Sequence, residues 1–378
     1  MMTRKRWLLA PVYSLLCSLC IGQVAHAGGL DQTTFSPLIQ FEDGGYADIS
    51  AQRRDITVSG ALVAAPNVGA QNVLQNRTTL NLGYKQDLGD RMGVALQITT
   101  PYAANTAYNA AGYPLNGTTA TLESRAITAL LSYDIGQNAF AYGGLRLLQS
   151  DGDIYVSLNA GLPNVFSYRF DGKSDTGLGY VLGLAYSRLE FGTRLALSYT
   201  SPIDLRFSGQ EGRVLGVAGA TPALSDTRFG VEMPATLSLD FQQGIATNTA
   251  LFGRIQQSRW GGFEIRPNLY PAGALVTYGD DVMRYDLGVK HRLSEEWGIS
   301  ALYSQEPQTG GLSSNLAPVD GLRAFTLGAE YTRGGAAIGF ALSEVRFDDT
   351  TTGLGTTPFA RFNGNRARLV TIRLSHRF

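Results

Sequence analysis

The sequence predicts an all-β protein, a transmembrane antiparallel β-barrel of 14 strands with short periplasmic turns and long outer loops. Its composition is the first observation: 45 glycines and 18 tyrosines stand beside only 16% charged residues, whereas soluble domains carry about 25%. Apolar and polar residues also alternate along many segments, with the period of two that marks a strand. Finally, short and long connections between these segments take turns along the chain, as in bacterial outer-membrane barrels.

The first 27 residues have the layout of a cleaved secretory signal. Residues 4–6 are basic, 7–21 are largely apolar, and Ala25-His26-Ala27 is a small-x-small cleavage site. A lipoprotein signal at Cys20 is less favoured, because the residues before it are not the small ones expected there. Both cysteines of the sequence lie in this segment. We therefore expect no disulfide, thiolate nucleophile or cysteine-based zinc site in the mature protein.

The charge balance disfavours a nucleic-acid partner. The full chain has 31 basic and 31 acidic residues, and removal of the signal takes away three basic ones. The mature chain is thus slightly acidic, whereas nucleic-acid binders show a basic excess or stripe. No apolar run after residue 27 reaches the roughly 20 residues of a membrane helix. The exported product is then soluble in the periplasm, secreted, or a membrane barrel.

The end of the sequence favours the barrel. Apolar and polar residues alternate over 370–378 and finish on Phe378. A strand of a soluble sandwich would alternate in the same way, but a terminal aromatic residue is typical of Gram-negative outer-membrane barrels and is expected to be read by the barrel assembly machinery. The alternation recurs at 179–186, 191–199, 236–242 and 325–332, with Tyr or Phe at the ends of the apolar stripes, as an interfacial girdle requires.

The connections give the strand count. Short links fall at 86–90, 134–138, 187–190, 243–248, 293–296 and 332–335, and long ones at 60–76, 102–120, 151–175, 201–232, 259–280, 305–321 and 349–365. Six turns and seven loops make 14 strands, with both chain ends in the periplasm. A hairpin hidden in 151–175 would change the count by two, since 154–158 and 166–170 both alternate. We divide the chain into a signal peptide (1–27), a short periplasmic or lumen segment (28–44) and a barrel (45–378).

With 14 strands in view, the sequence resembles the FadL family (OMPP1/FadL/TodX), outer-membrane transporters of long-chain fatty acids and aromatic hydrocarbons. The resemblance extends over nearly the whole mature chain and lies in FEDGGYA (41–47) running into VSG (58–60), YGGLRLLQSDGDIYV (142–156), SDTGLGYVLGLAY (174–186), YTSPIDLRFSG (199–209), MPATLSLDFQQGIATN (233–248), YGDDVMRYDLGVKHRLSEEWGISALYSQEP (278–307) and LAPVDGLRAFTLGAEY (316–331). It implies substrate capture in a groove between the third and fourth outer loops and sideways exit through a gap in the wall. Gly93 and Pro101 bracket the third strand, where a kink would create such a gap.

One departure concerns the hatch. Members of the family carry an N-terminal plug of several tens of residues, often with an Asn-Pro-Ala motif. Here 28–44 supplies only 17 residues, and Asn-Pro-Ala is absent. A hatch-gated mechanism therefore does not carry over directly: either a shorter plug suffices, or the wall and loops fill the lumen.

The expected substrate site lies on the loops 151–175 and 201–232, the third and fourth. The second of these contains the unusually apolar stretch VLGVAGATPAL at 214–224, and Arg169 and Arg213 are candidate partners for a fatty-acid carboxylate. In the alternative interpretation these side chains pack the loops into a lid, and outer arginines bind lipopolysaccharide phosphates. The candidate substrate-binding residues are Leu162, Val165, Phe166, Arg169, Phe170, Arg213, Val214, Leu215, Val217 and Leu224.

Lumen charges offer a second set of candidates. Arg194, Arg284, Lys290 and Arg373 are expected to face inward, but Asp240, Asp286 and Glu330 are expected there too, and such charges often pair with one another. An enzyme is not predicted: the mature histidines are His291 and His376, and Ser375 beside His376 points to the opposite face of a strand. We expect no catalytic residue, cofactor or metal.

The sequence thus predicts a Gram-negative outer-membrane protein that takes up hydrophobic compounds such as long-chain fatty acids by passive passage. Its expected partners are hydrophobic small molecules, outer-membrane lipid and lipopolysaccharide, and it is expected to be a monomer. A general diffusion porin for small polar solutes is the alternative, which would need an open lumen and usually a constriction ring. A structural or adhesive barrel with a blocked lumen is the third possibility.

Overall fold

The computed structural model describes residues 30–33, 35–161 and 164–378. The predicted signal peptide and Leu162 lie outside these ranges. Within them, helical structure is confined to the short 3₁₀ turns Pro37–Phe41 and Leu189–Phe191, and no helix is long and apolar enough to cross a membrane.

Fourteen antiparallel strands form a closed barrel. Each strand pairs with its neighbours in chain order, and the first also pairs with the last, so the wall closes into a ring. The predicted fold class and strand number are confirmed. The wall consists of β1 (Gly45–Thr57), β2 (Arg77–Leu88), β3 (Met92–Thr99), β4 (Thr119–Gly136), β5 (Ala139–Asn159), β6 (Asp175–Arg188), β7 (Thr193–Thr200), β8 (Thr236–Ala246), β9 (Thr249–Ser258), β10 (Val282–Arg292), β11 (Trp297–Glu306), β12 (Leu322–Arg333), β13 (Ala336–Phe347) and β14 (Arg366–Arg377).

The outer loops carry strands of their own. The largest are Val165–Lys173, Ile203–Leu215 and Ser225–Met233, which extend the wall outward. Residues 154–158 are the outer end of β5, and they pair with 166–170 of the loop strand Val165–Lys173. This hairpin lies above the wall and adds no strand to it. Shorter loop strands are Gly60–Leu62, Gly69–Ala70, Ala103–Ala107, Glu264–Ile265, Val276–Thr277, Thr350–Leu354 and Thr357–Phe362.

The two faces of the wall differ in the way a membrane barrel requires. On the outer face, large apolar side chains such as Leu82, Leu184 and Leu327 are 44%, 57% and 54% exposed, which suits contact with lipid acyl chains. Aromatic residues border this belt at both ends: Tyr84, Tyr133, Phe191, Trp297, Tyr331 and Phe378 on the periplasmic side, and Tyr180, Tyr199, Tyr285, Tyr303 and Phe325 on the outer side.

The inner face is polar and tightly filled. Lumen-facing glycines make room for larger neighbours: the ring of Tyr142 lies where a Cβ on Gly183 would be, and its hydroxyl contacts Ser198 Oγ at 2.5 Å. Most of the apolar core lies beneath the outer loops instead, in one large cluster that includes Leu30, Tyr108 and Trp260. The outer loops are thus a packed cap on the barrel.

Candidate functional site

Residues 30–33 and 35–44 run inside the barrel from the outer cap to the periplasmic rim. At the outer end, the backbone N–H of Gln32 donates to the carbonyl of Pro101 at 2.7 Å, and Trp260 Nε1 donates to Asp31 Oδ2 at 2.9 Å. At the other end, the Gly44 N–H donates to Asp87 Oδ2 at 2.6 Å. The segment is anchored to opposite ends of the lumen.

The 3₁₀ turn Pro37–Phe41 is buried in the periplasmic half of the lumen. Ser36 caps the turn by accepting from the Leu38 N–H, and its own carbonyl accepts from Gln97 Nε2 at 2.7 Å. Phe41 packs edge-on against Phe140 of β5, with 5.3 Å between ring centroids. The turn is thus packed against the inner face of β3 and β5.

Buried ion pairs and hydrogen bonds occupy the remaining lumen wall. Asp240 Oδ1 lies 2.6 Å from Arg254 Nη2, Arg284 Nε lies 3.1 Å from Asp286 Oδ1, and Arg373 Nε lies 3.3 Å from Asp48 Oδ2. Lys290 Nζ donates to Gln242 Oε1 at 2.6 Å, and the guanidinium of Arg194 lies over the Phe41 ring. The inward basic residues singled out from the sequence are thus engaged with the wall or with the N-terminal segment.

An apolar cavity lies under the outer loops, beside the first described residue of the N-terminal segment, Leu30. It has a volume of about 50 Å³, well below the roughly 150 Å³ of an engineered apolar cavity that binds benzene. Leu30, only 2% exposed, forms part of its wall. The other lining residues are Ala104, Ala120, Thr121, Leu122, Gly152, Ile154, Phe170, Phe207, Phe229, Ile265, Leu275, Val276 and Leu316.

The third and fourth outer loops join edge to edge above this cavity. Strand Val165–Lys173 pairs with Ile203–Leu215, which in turn pairs with Ser225–Met233. The alternation of these strands places Phe170, Phe207 and Phe229 on the cavity side, where Phe229 contacts Phe170 edge-on at 5.1 Å and stacks on Phe207 at 5.9 Å. The two loops therefore supply an aromatic ceiling rather than an open groove between these edges.

Glu211 fastens this ceiling to the neighbouring loop. Its carboxylate is buried and accepts hydrogen bonds from Tyr168 Oη at 3.0 Å, Thr227 Oγ1 at 2.7 Å and the Leu269 N–H at 3.1 Å. Burial, together with the charge of Glu211, raises the pKa of Tyr168 far above its ordinary value, so the phenol stays a donor. Hydrogen bonds to this one carboxylate thus connect the third, fourth and fifth outer loops.

The structure distributes the predicted substrate-binding residues unevenly. Phe170 lines the cavity, whereas Phe166 is buried against Tyr270, with 5.8 Å between ring centroids. Leu215 and Val217 are 60% and 51% exposed at the tip of the fourth loop. Half-buried positions in the same loops are occupied by Val165, Val214 and Leu224.

The two predicted basic residues lie away from the cavity lining. Arg169 is exposed and pairs with Asp171, with Nε 2.7 Å from Oδ1. Arg213 is also exposed and donates from Nη1 to the Leu269 carbonyl at 3.4 Å. Neither side chain lines the apolar cavity.

A basic recess adjoins the cavity, and none of its polar residues is among the predicted substrate-binding residues. It shares Ala104 and Leu316 with the cavity and is also lined by Gln32, Arg54 and Arg77. Arg54 is 9% exposed, donates to Gln32 Oε1, and forms no ion pair with a described residue.

The alternation of side chains along β1 identifies Arg54 as an inward-facing residue. In the doublet Arg53-Arg54, Arg53 points outward and pairs with Asp55 at 3.0 Å, while Arg54 shares the inward face with Gln52. Two adjacent arginines on a strand must point to opposite faces.

The wall is interrupted beside this recess. The ladder between β2 and β3 runs from Leu88 with Met92 to Leu82 with Ile98. Among the described residues, the outer part of β2, from Arg77 to Asn81, is laddered only to β1. Pro101 follows the end of β3 and has no N–H to continue the ladder. This is the region in which the sequence predicted a kink.

The closed barrel, its lipid-facing apolar belt and the aromatic borders define an outer-membrane β-barrel protein. The sequence profile of the family described as outer membrane protein transport protein (OMPP1/FadL/TodX) matches residues 46–350, and the chain belongs to this family. The predicted family is thereby confirmed. The family consists of transport proteins, and family and fold together place the chain in the outer membrane.

Solved structures share the fold at low sequence identity. A FadL homologue of Pseudomonas aeruginosa superposes with a TM-score of 0.74 at 13% identity, covering 90% of this chain and 92% of that one. The toluene transporter TodX of Pseudomonas putida has a TM-score of 0.66 at 14% identity over 89% and 90% of the two chains. The toluene transporter TbuX of Ralstonia pickettii has a TM-score of 0.66 at 15% identity over 93% and 97%. None of the curated proteins matches the sequence.

Proposed function

We propose that this protein takes up hydrophobic compounds that carry an anionic end, such as long-chain fatty acids, across the outer membrane of a Gram-negative cell. The observation that carries the proposal is the aromatic-lined apolar cavity next to the basic recess of Arg54 and Arg77, with Ala104 and Leu316 lining both. The apolar cavity suits the hydrocarbon chain of a fatty acid, and the basic recess suits its carboxylate.

The apolar part of the site supplies the driving force. Each Å² of apolar surface removed from water is worth about 25 cal/mol, and Phe170, Phe207 and Phe229 offer broad apolar faces to a chain. The present volume of about 50 Å³ is too small for such a ligand. Entry therefore requires a lining group to move, and Leu30 is the lining residue that belongs to the N-terminal segment rather than to a strand or an outer loop.

The basic part of the site selects the head group. A buried guanidinium without an ion-pair partner favours an anion, because desolvated charges are stable only when paired. Arg54 meets this condition, and Gln32 holds it in place through Oε1. Arg77 lies in the same recess, with Nη2 3.6 Å from the exposed Glu123 carboxylate.

The interrupted ladder between β2 and β3 supports a sideways exit. Arg77 belongs both to the basic recess and to the part of β2 that lacks a β3 partner. A solute leaving here would enter lipid without crossing the periplasmic half of the lumen, where the turn Pro37–Phe41 is packed. A segment packed there also disfavours the diffusion-porin alternative, which needs an open lumen.

Uptake measurements in a Gram-negative host lacking its own fatty-acid transporter test the proposal. Cells making this protein should take up labelled oleate faster than cells with an empty vector, with no gain for a labelled small sugar. Arg54→Gln should lower oleate uptake at least fivefold, whereas the outward neighbour change Arg53→Gln should leave it unchanged. Faster sugar uptake without faster oleate uptake would overturn the proposal in favour of the porin.

Uncharged aromatic hydrocarbons are a second candidate substrate class. The three cavity phenylalanines favour stacking with an aromatic ring, and the fold is shared with proteins named as toluene transporters. Labelled toluene distinguishes the two classes, because its uptake should not respond to Arg54→Gln. If toluene enters faster and oleate does not, the carboxylate assignment is wrong and the hydrocarbon assignment stands.

A further inference from the structure

Three arginines lie side by side at the outer end of the barrel wall. Arg323 of β12 is directly opposite Arg346 of β13, and Arg346 is directly opposite Arg366 of β14. Directly opposite residues in an antiparallel pair have Cβ atoms about 4.5–5.5 Å apart. The three arginine side chains therefore start from neighbouring positions on the wall, and the set is here called the arginine row.

The arginine row faces the membrane rather than the lumen. All three side chains are exposed, and along each strand they share their face with the lipid-facing residues Phe325, Leu342 and Ile372. Those apolar residues lie a few positions nearer the periplasm. The row thus stands just above the apolar belt, at the level where lipid head groups of the outer leaflet meet the wall.

The charges of the row are only partly balanced. Arg323 Nη2 lies 2.7 Å from Asp348 Oδ1, but Arg346 and Arg366 form no ion pair with a described residue. Like charges directly opposite each other destabilise a sheet. An external anion seated between Arg346 and Arg366 would remove this repulsion.

A polar recess opens beside Arg366 on the same side of the barrel. It has a volume of about 900 Å³ and is lined by Arg366, Arg368 and the amide side chains of Asn72, Gln75, Asn76 and Asn105. Two carboxylates also line it: Glu344, which pairs with Arg368 at 2.5 Å, and Asp55, which pairs with Arg53, so Arg366 is the lining arginine that forms no ion pair with a described residue. Guanidinium groups bind phosphate oxygens with two parallel hydrogen bonds, and amides both donate to and accept from hydroxyl groups. The recess is larger than a phosphate group requires, and its amides suit a sugar.

We propose that the arginine row and this recess bind the phosphorylated glucosamine head group of lipopolysaccharide in the outer leaflet. Its phosphates lie against Arg346 and Arg366, its sugar hydroxyls face the amides of the recess, and its acyl chains lie along the apolar belt below. A glycerophospholipid offers phosphate but a smaller head group with fewer hydroxyls. The polar recess shares no lining residue with the apolar cavity, but Ile56, Leu74, Gln75 and Asn105 also line the basic recess. The arginine row itself lines neither part of the substrate site, and lipid A binding is measured without transport.

Native mass spectrometry of the detergent-solubilised barrel tests the assignment. The probes are lipid A, lipid A with both phosphates removed, phosphatidylglycerol and inorganic phosphate, all in the presence of EDTA so that divalent cations cannot bridge. Binding of lipid A should weaken at least tenfold in the double variant Arg346→Gln/Arg366→Gln. Arg125→Gln is the matched control, since Arg125 is an exposed, lipid-facing arginine on β4, outside the row.

The outcomes separate the possible sources of phosphate. Loss of affinity on removal of the lipid A phosphates, with weaker binding of phosphatidylglycerol, supports the proposal. Equal binding of phosphatidylglycerol, unchanged binding by the double variant, or displacement of lipid A by equimolar inorganic phosphate would each overturn it. Heat-modifiable mobility on electrophoresis verifies that every variant is a folded barrel, and the single change Arg346→Gln serves if the double variant fails to fold.

Discussion

Trp260 donates its indole N–H to the carboxyl of Asp31 at 2.9 Å, although the two residues are 229 positions apart in the chain. The contact fixes the outer end of the N-terminal segment to the fifth outer loop. Burial raises the pKa of Asp31 to about 7, and the hydrogen bond from Trp260 and the charge of Arg284 only partly oppose this effect. The group therefore titrates near neutral pH.

Asp31 should make the anchoring of the segment depend on pH. Because its folded pKa lies above the ordinary value of 3.8, the folded state holds the proton more tightly. The stabilisation is fully present below about pH 4 and is lost as the pH rises through about 7. In a Trp297→Phe background, Trp260 fluorescence should titrate with a midpoint near 7. Adding Asp31→Asn should abolish that titration; if it persists, another group is responsible.

Leu30 should control the space available to a ligand. Leu30→Ala removes a side chain from the cavity wall, at a local cost typical of large-to-small core changes of about 2–5 kcal/mol. A larger cavity should bind toluene more tightly than the wild type, by several fold in calorimetric titration. Leu38→Ala, a truncation in the periplasmic half of the same segment, is the matched control and should not change the affinity. Equal affinities for wild type and Leu30→Ala would show that Leu30 does not limit the site.

Glu211 should hold the aromatic ceiling closed. Replacing it with alanine leaves Tyr168, Thr227 and the Leu269 N–H without their acceptor, and each buried unsatisfied group costs about 1–3 kcal/mol. Hydrogen exchange over 203–233 should then be at least tenfold faster, with no change in the wall strands. Glu232→Ala, an exposed position on the same hairpin, should have no such effect. Unchanged exchange in Glu211→Ala would mean that apolar packing alone closes the ceiling.

The sequence predicts the wall better than it predicts the site. Alternation and connection length specify 14 strands because lipid and lumen impose opposite polarity on successive residues. The same alternation distinguishes Arg54 from Arg53, but only after the inward face of β1 is known. The pairing of Asp31 with Trp260 has no local signal, since it depends on how a loop folds over the lumen. Arg169 and Arg213 have the right chemistry, but Arg169 pairs with Asp171 on its own strand and Arg213 donates to the Leu269 carbonyl of the fifth loop.

Glu42 should keep the lumen closed to water-soluble molecules. Its carboxylate receives two hydrogen bonds from the Arg377 guanidinium, at 2.6 and 2.9 Å, and its carbonyl accepts from Lys85 Nζ. Glu42→Ala removes the carboxylate and leaves the partly buried Arg377 charge without this partner, which weakens the hold of the N-terminal segment on β14. Liposomes containing the variant should swell faster in a small sugar than those containing wild type, and deletion of 31–41 should give a larger increase. Asp43→Asn is the matched control because Asp43 is the exposed neighbour. If the deletion leaves sugar permeability unchanged, the wall and loops block the lumen by themselves, and the N-terminal segment is not the plug.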